Sequence, residues 1–403
     1  MYPVSPQFMA EIRAGAEIVT KVNLYYAGAL IAENIPVRSG AITDDSNSLI
    51  RRRCSIELEP AEDWDQFIPG WGRDDNAPKG VRDFGLWPVG TECKIWQGVK
   101  FKDRRFGTEM VPLGTFRIAN PKLNAEEPQI TVTFDGYDLS RRISRARFKD
   151  AYNIPYGTPV TDACRSIILH QCSWLSDADF DFKEAEAIVS ATGLDKPVFL
   201  PNLVFDRDDD PWKQCTDICT ASGLDIYIGL DDKIKMRPIP SLNNDPPLFH
   251  YDEGQDCILT GLDRDIDDEQ GYNGVIVTGE NSSNETVVRE EVWETNPMSP
   301  IYYDPQIPNA SVYGPNPYFL TSNTIGGSYQ AILAGVAQFY KLTGVIQGMN
   351  FSAVPMFAHE SMDLIHIKHA RSQIDSSHIL ESFSMGLGPE GRLTGRTRAR
   401  RLA

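Results

Sequence analysis

The spacing of β-type runs constrains this chain more than any other feature. Before residue 140 the sequence passes through VTKVNLYY, ALIAENIPVRSGAIT, RRRCSIELEP, TECKIWQGVKF, MVPLGTFRIANPKLN and PQITVTFDGYDLS. Each run alternates apolar and polar residues or is rich in β-branched ones, and each is stopped by Gly, Pro, Asn or Asp, as at Ala27-Gly28 and across Thr43 to Ser48. Alternation with period two is the signature of strands with one buried face. At least six such strands precede residue 140, and so many short strands bury their apolar faces most readily in a sandwich or a barrel. A short helix is predicted from Ser5 to about Ala16, and a loop rich in Trp, Pro, Gly and Asp from Trp64 to Pro88.

From about Gly157 the texture changes. TPVTDACRSIILHQC places Ala163, Cys164, Ile167 and Ile168 at helical spacing, with Thr161 or Asp162 positioned to cap the start. Asp210, Pro211 and Trp212 open a second helix, with proline in its first turn and Gly223 just past its end. LDIYIGLDDKIKMRPIP then reads as a hairpin about an Asp231-Asp232 turn. Asp245 to Asp256 is a Pro-containing joint, beyond which strand-like runs return, interrupted by a Pro-, Asn- and Tyr-rich loop (296–317) and one amphipathic helix, SYQAILAGVAQFYKLTG, closed by Lys341 and Gly344. The predicted order is a β domain over 1–150, a mixed α/β domain over 151–245, and a second β domain over 246–403 with a basic C-terminal tail.

Size and composition exclude several classes. A chain of 403 residues is long enough for two to four domains with cores of their own. No apolar run approaches the roughly 18 residues a membrane helix needs, and MYPVSPQFMAEIRAG lacks the basic start and apolar core of an export signal. Neither membrane insertion nor export is expected. A formal charge of −17 argues against a general nucleic-acid binder, whose surface would have to neutralise phosphate. It suits a surface that must not stick to DNA passing close by. Seven cysteines without a CxxC pair read as reduced thiols, with Cys215 and Cys219 as small buried residues on one helical face.

The candidate chemistry is sparse. No GxSxG elbow, GxxxxGK[ST] loop or GxGxxG after a strand occurs. The acidic run Asp263 to Gly271 partly imitates a calcium loop, but Asp268 stands where the sharp turn needs glycine and Gly274 where the loop needs glutamate. It reads as a solvated turn, as does Asp206 to Asp210. Asn281, Asn284 and Asn309 begin glycosylation sequons that meet no modifying enzyme without export. Basic clusters at Arg51 to Arg53, Arg141 to Arg147 and Arg392 to Arg401 read as solvated edge charges, or as docking points for an acidic neighbour.

AHESMDLIHIKHARS (358–372) brings His359, Glu360, His366 and His369 close together in sequence. The HExxH zinc motif needs a second histidine four positions after the first, on the same helical face. Asp363 holds that position here, and from Met362 the pattern alternates as in a strand, with Met362, Leu364, His366 and Lys368 on one face and Asp363, Ile365, Ile367 and His369 on the other. At roughly 3.3 Å per residue a strand would hold His359 and Asp363 about 13 Å apart, too far to share a metal. No metal, cofactor or catalytic residue is therefore expected, and the histidines are predicted to be surface or packed side chains.

The order of these segments resembles the tail-tip hub proteins of long-tailed bacteriophages, in the form known from actinobacterial phages as minor tail or prophage tail proteins. The resemblance rests on RRRCSIELEP, LWPVGTECKIWQGVKF, VPLGTFRIANPKL, FDGYDLSRRISRARF and DPWKQCTDICTASGLDIYIGLDDKIKMRPIP. It continues in YNGVIVTGENSSN and EVWETNPMSP, where Tyr272, Asn273, Gly279, Glu280 and the string 296–300 are its most recognisable marks. Pro355, Glu360, Asp363 and Leu364 to Ile367 match the family's proline, glutamate turn and Asp-led strand. The resemblance implies a β-rich α+β fold with two tube-like β-barrel domains, assembled from non-contiguous strands, around a smaller mixed α/β insertion. It implies a structural, non-enzymatic virion protein at the tail tip, made in the host cytoplasm. Its implied partners are itself as a homotrimer whose six barrels continue the tail tube, the distal tail protein, tip or fibre proteins and possibly the tape measure protein, with genome DNA passing through unbound. The competing expectation from a different class is a metal-dependent peptidase or glycan hydrolase centred on residues 359–369.

Overall fold

The computed structural model describes residues 1–58, 86–103, 105–126, 129–186, 200–240, 242, 245–253, 258–265, 271–280, 285–342, 348–388 and 391–398. The expected loop from Trp64 is outside these residues up to position 85. So are Asn281, Asn284, positions 266–270 of the acidic run, Cys257, Gly344 and the tail beyond Arg398.

The N-terminal strands form as their alternation predicts. They are β1 (Glu17–Tyr26), β2 (Ala29–Ala32), β3 (Val37–Asp45), β4 (Arg52–Leu58), β5 (Thr91–Lys100), β6 (Thr108–Glu126) and β7 (Gln129–Tyr137). Ala27 and Gly28, both at positive φ, make the β1–β2 turn. All pairings are antiparallel, in the order β3-β4-β7-β6-β5-β1-β2. The apolar member of each alternating pair faces inward, so Val22, Leu24, Ile42, Ile56, Ile95, Phe116, Val132 and Phe134 share one core. Before β1, helix α1 (Pro6–Arg13) is capped by Ser5, whose hydroxyl accepts from Phe8 N at 3.1 Å and donates to Glu109 at 2.5 Å. It drops Phe8 and Ile12 into that core.

The mixed unit holds helices α2 (Leu139–Ser144), α3 (Val160–Gln171) and α4 (Pro211–Thr220), with strands β8 (Tyr152–Ile154), β9 (Phe180–Asp181), β10 (Leu203–Phe205), β11 (Leu224–Ile228) and β12 (Ile234–Pro238). The α4 start is as predicted: Asp210 accepts from Trp212 N and Lys213 N, and Gly223 takes φ +72° just beyond the end. The α3 start is not. Pro159 is its N-cap without a side-chain bond, and Thr161 and Asp162 lie inside the first turn. The helix therefore begins two positions earlier than a Thr161 cap would start it. The unit has its own core, in which α3 packs on α4.

The C-terminal strands are β13 (Phe249–Asp252), β14 (Leu259–Asp265), β15 (Gly274–Glu280), β16 (Thr286–Trp293), β17 (Pro317–Ser322), β18 (Gly348–Ala353), β19 (Leu364–His369), β20 (Ile374–Gly386) and β21 (Leu393–Arg398). Six of them run β14-β18-β21-β20-β19-β13. Strands β15 to β17 stand apart as a three-stranded layer covered by helix α5 (Ser328–Leu342), where Gly335 lets the helix approach Val277 and Val292. That layer sits inside the span predicted as the second barrel.

Strand β20 splices the two β units. Its first half pairs with β19 and its second half with β3, while β21 runs along the other edge. Its end also closes the first unit: Leu387 N donates to Gly40 O at 2.9 Å, Thr20 Oγ1 to Leu387 O at 3.0 Å and Gln97 Nε2 to Gly386 O at 3.2 Å. The result is a sheet of thirteen strands drawn from both ends of the chain, over one continuous apolar cluster. Among the described residues no helix is long and apolar enough to cross a membrane.

Close packing inside the first unit is open to test at Gly98, where an added Cβ would lie 2.2 Å from the carbonyl oxygen of Glu109. Gly98→Ala is expected to destabilise the fold by about 1–3 kcal/mol through backbone displacement, measured as a lowered midpoint in denaturant unfolding.

Candidate functional site

The buried polar groups converge where the two β units and the mixed unit meet. Arg51, just ahead of β4, forms a two-pronged pair with Asp225 of β11, one prong at 2.9 Å. Arg237 of β12 reaches the same carboxylate at 3.5 Å and Asp363 at 3.8 Å, lies 4.2 Å from the Tyr227 ring centre, and donates to Ser361 O. Asp363 also receives the Met1 ammonium at 2.8 Å, Glu360 N at 3.0 Å and His359 Nδ1 at 3.4 Å. Ser361 N donates to Asp44 at 3.2 Å, and Asp44 faces Arg52 at 3.7 Å. Around this chain, Asp232 of the β11–β12 turn accepts from Thr115 N and Oγ1, Trp212 Nε1 donates to Leu49 O, and Glu360 accepts from Leu230 N. Every bond in this last group ties the mixed unit to one of the β units.

The electrostatics follow from burial and pairing. Burial opposes the charge on Asp363, but the His359 hydrogen bond, the N-terminal ammonium and Arg237 outweigh it and hold the acid down to about 2. Arg51 and Arg237 likewise keep Asp225 below the usual carboxylate range against burial. Asp138, which caps α2 and accepts from Arg52 N, is pushed up to about 6 by burial. Arg51 and Arg52 are therefore internal joints, which corrects the reading of these two as solvated edge charge, while Arg53 is exposed as that reading expects. Arg398 is internal too, against Glu381 and Met362 Sδ. The second cluster is different: Arg141 and Arg142 stack on Tyr137 and Trp174.

The histidine-rich stretch divides. Residues before Leu364 form a turn, with Met362 at φ +71°, and the strand begins only at Leu364. The strand reading that set His359 and Asp363 about 13 Å apart is thus wrong at its first residues, because the turn folds one onto the other. His359 is buried beside Phe249 and Tyr251, with Nε2 bonded to Tyr251 Oη at 2.8 Å, so both ring nitrogens are engaged inside the protein. His366 lies on the outer face of β19, 2.8 Å from Asp375 and 3.4 Å from Ser377 Oγ. His369 bonds Ser372 and Glu253. The Asp375, His366, Ser377 array has the residue types of a nucleophilic triad, but Asp375 is 61% exposed and cannot fix a tautomer in a dry site. Among the described residues no three ligating side chains are arranged for a metal. Asp263 and Asp265 of the acidic run lie on β14, not in a calcium loop.

Asn273 explains another of the marked positions. Its amide donates to Ile301 O and Gly314 O and accepts from Asn316 N, pinning both ends of the Pro- and Asn-rich loop to the start of β15. Gly274 beside it leaves the space that the Trp293 ring fills.

A second surface is defined by sheet register. From β14 through β18, β21 and β20 to β3, one rung presents Gly261, Ser352, Thr394, Ser384 and Thr43, and the next presents Asp263, Asn350, Arg396, Ser382 and Asp45. All of them except Asp45 line a shallow groove of about 410 Å³ together with Leu262, Phe351 and Phe383. The rungs carry hydroxyls, an amide, two carboxylates and one guanidinium, with no aromatic side chain among them on which bases could stack.

No protein-family model matches the sequence, and no curated protein matches it either. Solved structures do. The tail protein from Neisseria meningitidis superposes with a TM-score of 0.60 at 11% identity, over 94% of this chain and 96% of that one. The 43 kDa tail protein of prophage MuSo2 from Shewanella oneidensis gives 0.55 at 10% identity, over 94% and 98%. An E. coli type VI secretion component, described as structurally similar to the T4 tail proteins gp27 and gp5, gives 0.50 at 8% identity, over 94% and 77%. The chain has the fold of phage tail and baseplate hub proteins.

Removing one carboxylate from the junction leaves two buried guanidinium groups facing each other. Asp225→Asn is expected to cost about 3–5 kcal/mol, read from urea unfolding, with Arg51→Met/Asp225→Leu together costing less than the sum of the singles. The depressed Asp363 acid gives a signed pH dependence. Its contribution is full above the unfolded value near 3.8 and is lost as pH falls towards about 2. Asp363→Asn should flatten the acid limb of the stability curve over that window, measured by denaturant unfolding at stepped pH.

Proposed function

We propose that this protein is a structural hub of a bacteriophage tail tip. In this reading three copies close into a ring that continues the tail tube, joins the distal tail protein above to tip or fibre proteins below, and surrounds the DNA exit channel. The hub carries out no reaction of its own. The observation that carries the reading is the spliced sheet: eight strands, β14-β18-β21-β20-β3-β4-β7-β6, run without a break from one β unit into the other. Among the described residues, no strand pairs with the outer edge of β14 over 261–265 or with the outer edge of the second half of β6. A sheet with an open edge at each end can continue head to tail into a neighbouring copy, and a heterologous contact of that kind either closes a ring or grows a filament. The hydroxyl-bearing rungs and the charge of −17 favour passage of DNA over retention.

Light scattering on the purified chain, alone and mixed with the proteins encoded beside it, tests the reading. The expected result is a discrete species of three copies, formed alone or on mixing. A chain that stays monomeric under every combination contradicts the ring. The enzymatic alternative is tested on the same sample by metal analysis: stoichiometric zinc lost in both His359→Ala and His366→Ala would overturn a purely structural role.

A further inference from the structure

The mixed unit concentrates the cysteines. Six of the seven lie in described residues, all buried and unpaired, and four of them, Cys164, Cys172, Cys215 and Cys219, are in its core. Three meet at the α3–α4 contact. The Cys164 Sγ is 3.7 Å from the Cys219 Sγ, and the Cys215 thiol points instead at Cys164 O, at 3.8 Å. We propose that Cys164 and Cys219 form a disulfide latch across α3 and α4 when the protein passes from a reducing to an oxidising medium. The inference rests on the hub reading in one respect: a protein made in the cytoplasm and used on a released particle experiences that change.

The geometry selects this pair. A disulfide holds its sulfurs at about 2.05 Å, so these two must approach by about 1.7 Å, within reach of side-chain rotation and a small shift of the two helices. Cys215, one helical turn from Cys219, also lies against Cys164, but its thiol is aimed at the Cys164 carbonyl oxygen, whereas the Cys164 and Cys219 sulfurs point at each other. Burial pushes the Cys219 thiol well up, so reaction requires α3 and α4 to part transiently, and the latch forms slowly. Cys164 is the first nucleophile, because hydrogen bonds from Cys215 and Cys219 hold its thiol down. With oxidised glutathione as oxidant, the thiolate of Cys164 attacks one of its sulfurs and expels one glutathione thiolate, giving a mixed disulfide. The Cys219 thiolate then attacks the Cys164 sulfur, forms the protein disulfide and expels the second glutathione. Two protein thiols are oxidised, one glutathione disulfide is reduced to two thiols, and the protons lost by the cysteines appear on glutathione. The link closes a long loop between helices otherwise joined by packing and weak thiol hydrogen bonds, which raises stability chiefly by restricting the unfolded chain.

The test uses the full chain, equilibrated in oxidised glutathione or in dithiothreitol, then alkylated in denaturant and mapped by mass spectrometry. The expected result is two fewer alkylated cysteines in the oxidised sample, one linked peptide pair joining Cys164 to Cys219, and an unfolding temperature raised by several degrees. Cys219→Ser should abolish both the link and the rise while keeping the unfolding temperature of the reduced protein close to wild type. Full alkylation after prolonged oxidation, a link through Cys215 in the wild-type chain, or a link that leaves the unfolding temperature unchanged would each overturn the latch. Copy number measured on the same samples reports the ring separately, so failure of the latch leaves the hub reading standing.

Discussion

Asp225 is the residue on which the arrangement of the three units depends. It sits on the hairpin of the mixed unit and receives Arg51 from the first β unit and Arg237 from its own sheet, and Arg237 passes the contact on to Asp363 in the turn before β19. Burying that much charge is costly, and the Coulomb attraction offsets it only when the geometry is good and the remaining lone pairs are used. At Asp363 they are: its carboxylate meets an ammonium, a backbone amide and an imidazole. Ser361 extends the chain to Asp44 and Arg52, where one Asp44 oxygen is left without a hydrogen bond and burial raises that acid above its usual range. Such a junction contributes less to net stability than an apolar one would. It specifies one orientation, because a shifted hairpin would leave several charges unpaired at once.

The splice through β20 does for the backbone what the ionic junction does for side chains. A strand that begins against β19 and ends against β3 cannot be displaced without opening both β units. The two devices lie close together: Glu381, at the bulge in β20, receives Asn47 from the β3–β4 turn and faces both Arg396 and Arg398. A hub of the kind proposed needs fixed angles between its parts. The structure supplies them with a shared strand and a buried polar network beside the apolar cluster that the two β units share.

Much of this was legible in the sequence where the determinant is local. The strands β1 to β7, the Asp210-Pro211-Trp212 helix start and the Asp231-Asp232 hairpin follow from alternation, capping and turn chemistry. What depends on chain reversal was not. Arg51 and Asp225 are 174 positions apart, so nothing in RRRC shows that its first arginine is internal. The glutamate turn before the strand is where the resemblance implies it, but the roughly 13 Å set between His359 and Asp363 extends the strand spacing of Leu364 to His369 backwards, past the positive φ at Met362. The parallel pairing of β15 with β17 needs the long loop that Asn273 pins, and the loop's sequence carries turn signals but no register. Several positions that marked the hub resemblance, Arg51, Trp212, Arg237, Asn273, Glu360 and Asp363, turn out to be joints between parts, which accounts for a recognisable pattern without a catalytic motif.

The central claim is that this subunit rings a channel and faces it with the polar rungs of the spliced sheet. A reconstruction of the tail tip at side-chain resolution tests it most directly. The account predicts three copies about the tail axis, β14 of each beside β6 of the next, with Ser352, Thr394, Ser384 and Thr43 turned to the lumen. Density for this chain away from the axis, or on the axis with those residues facing outward, would contradict it.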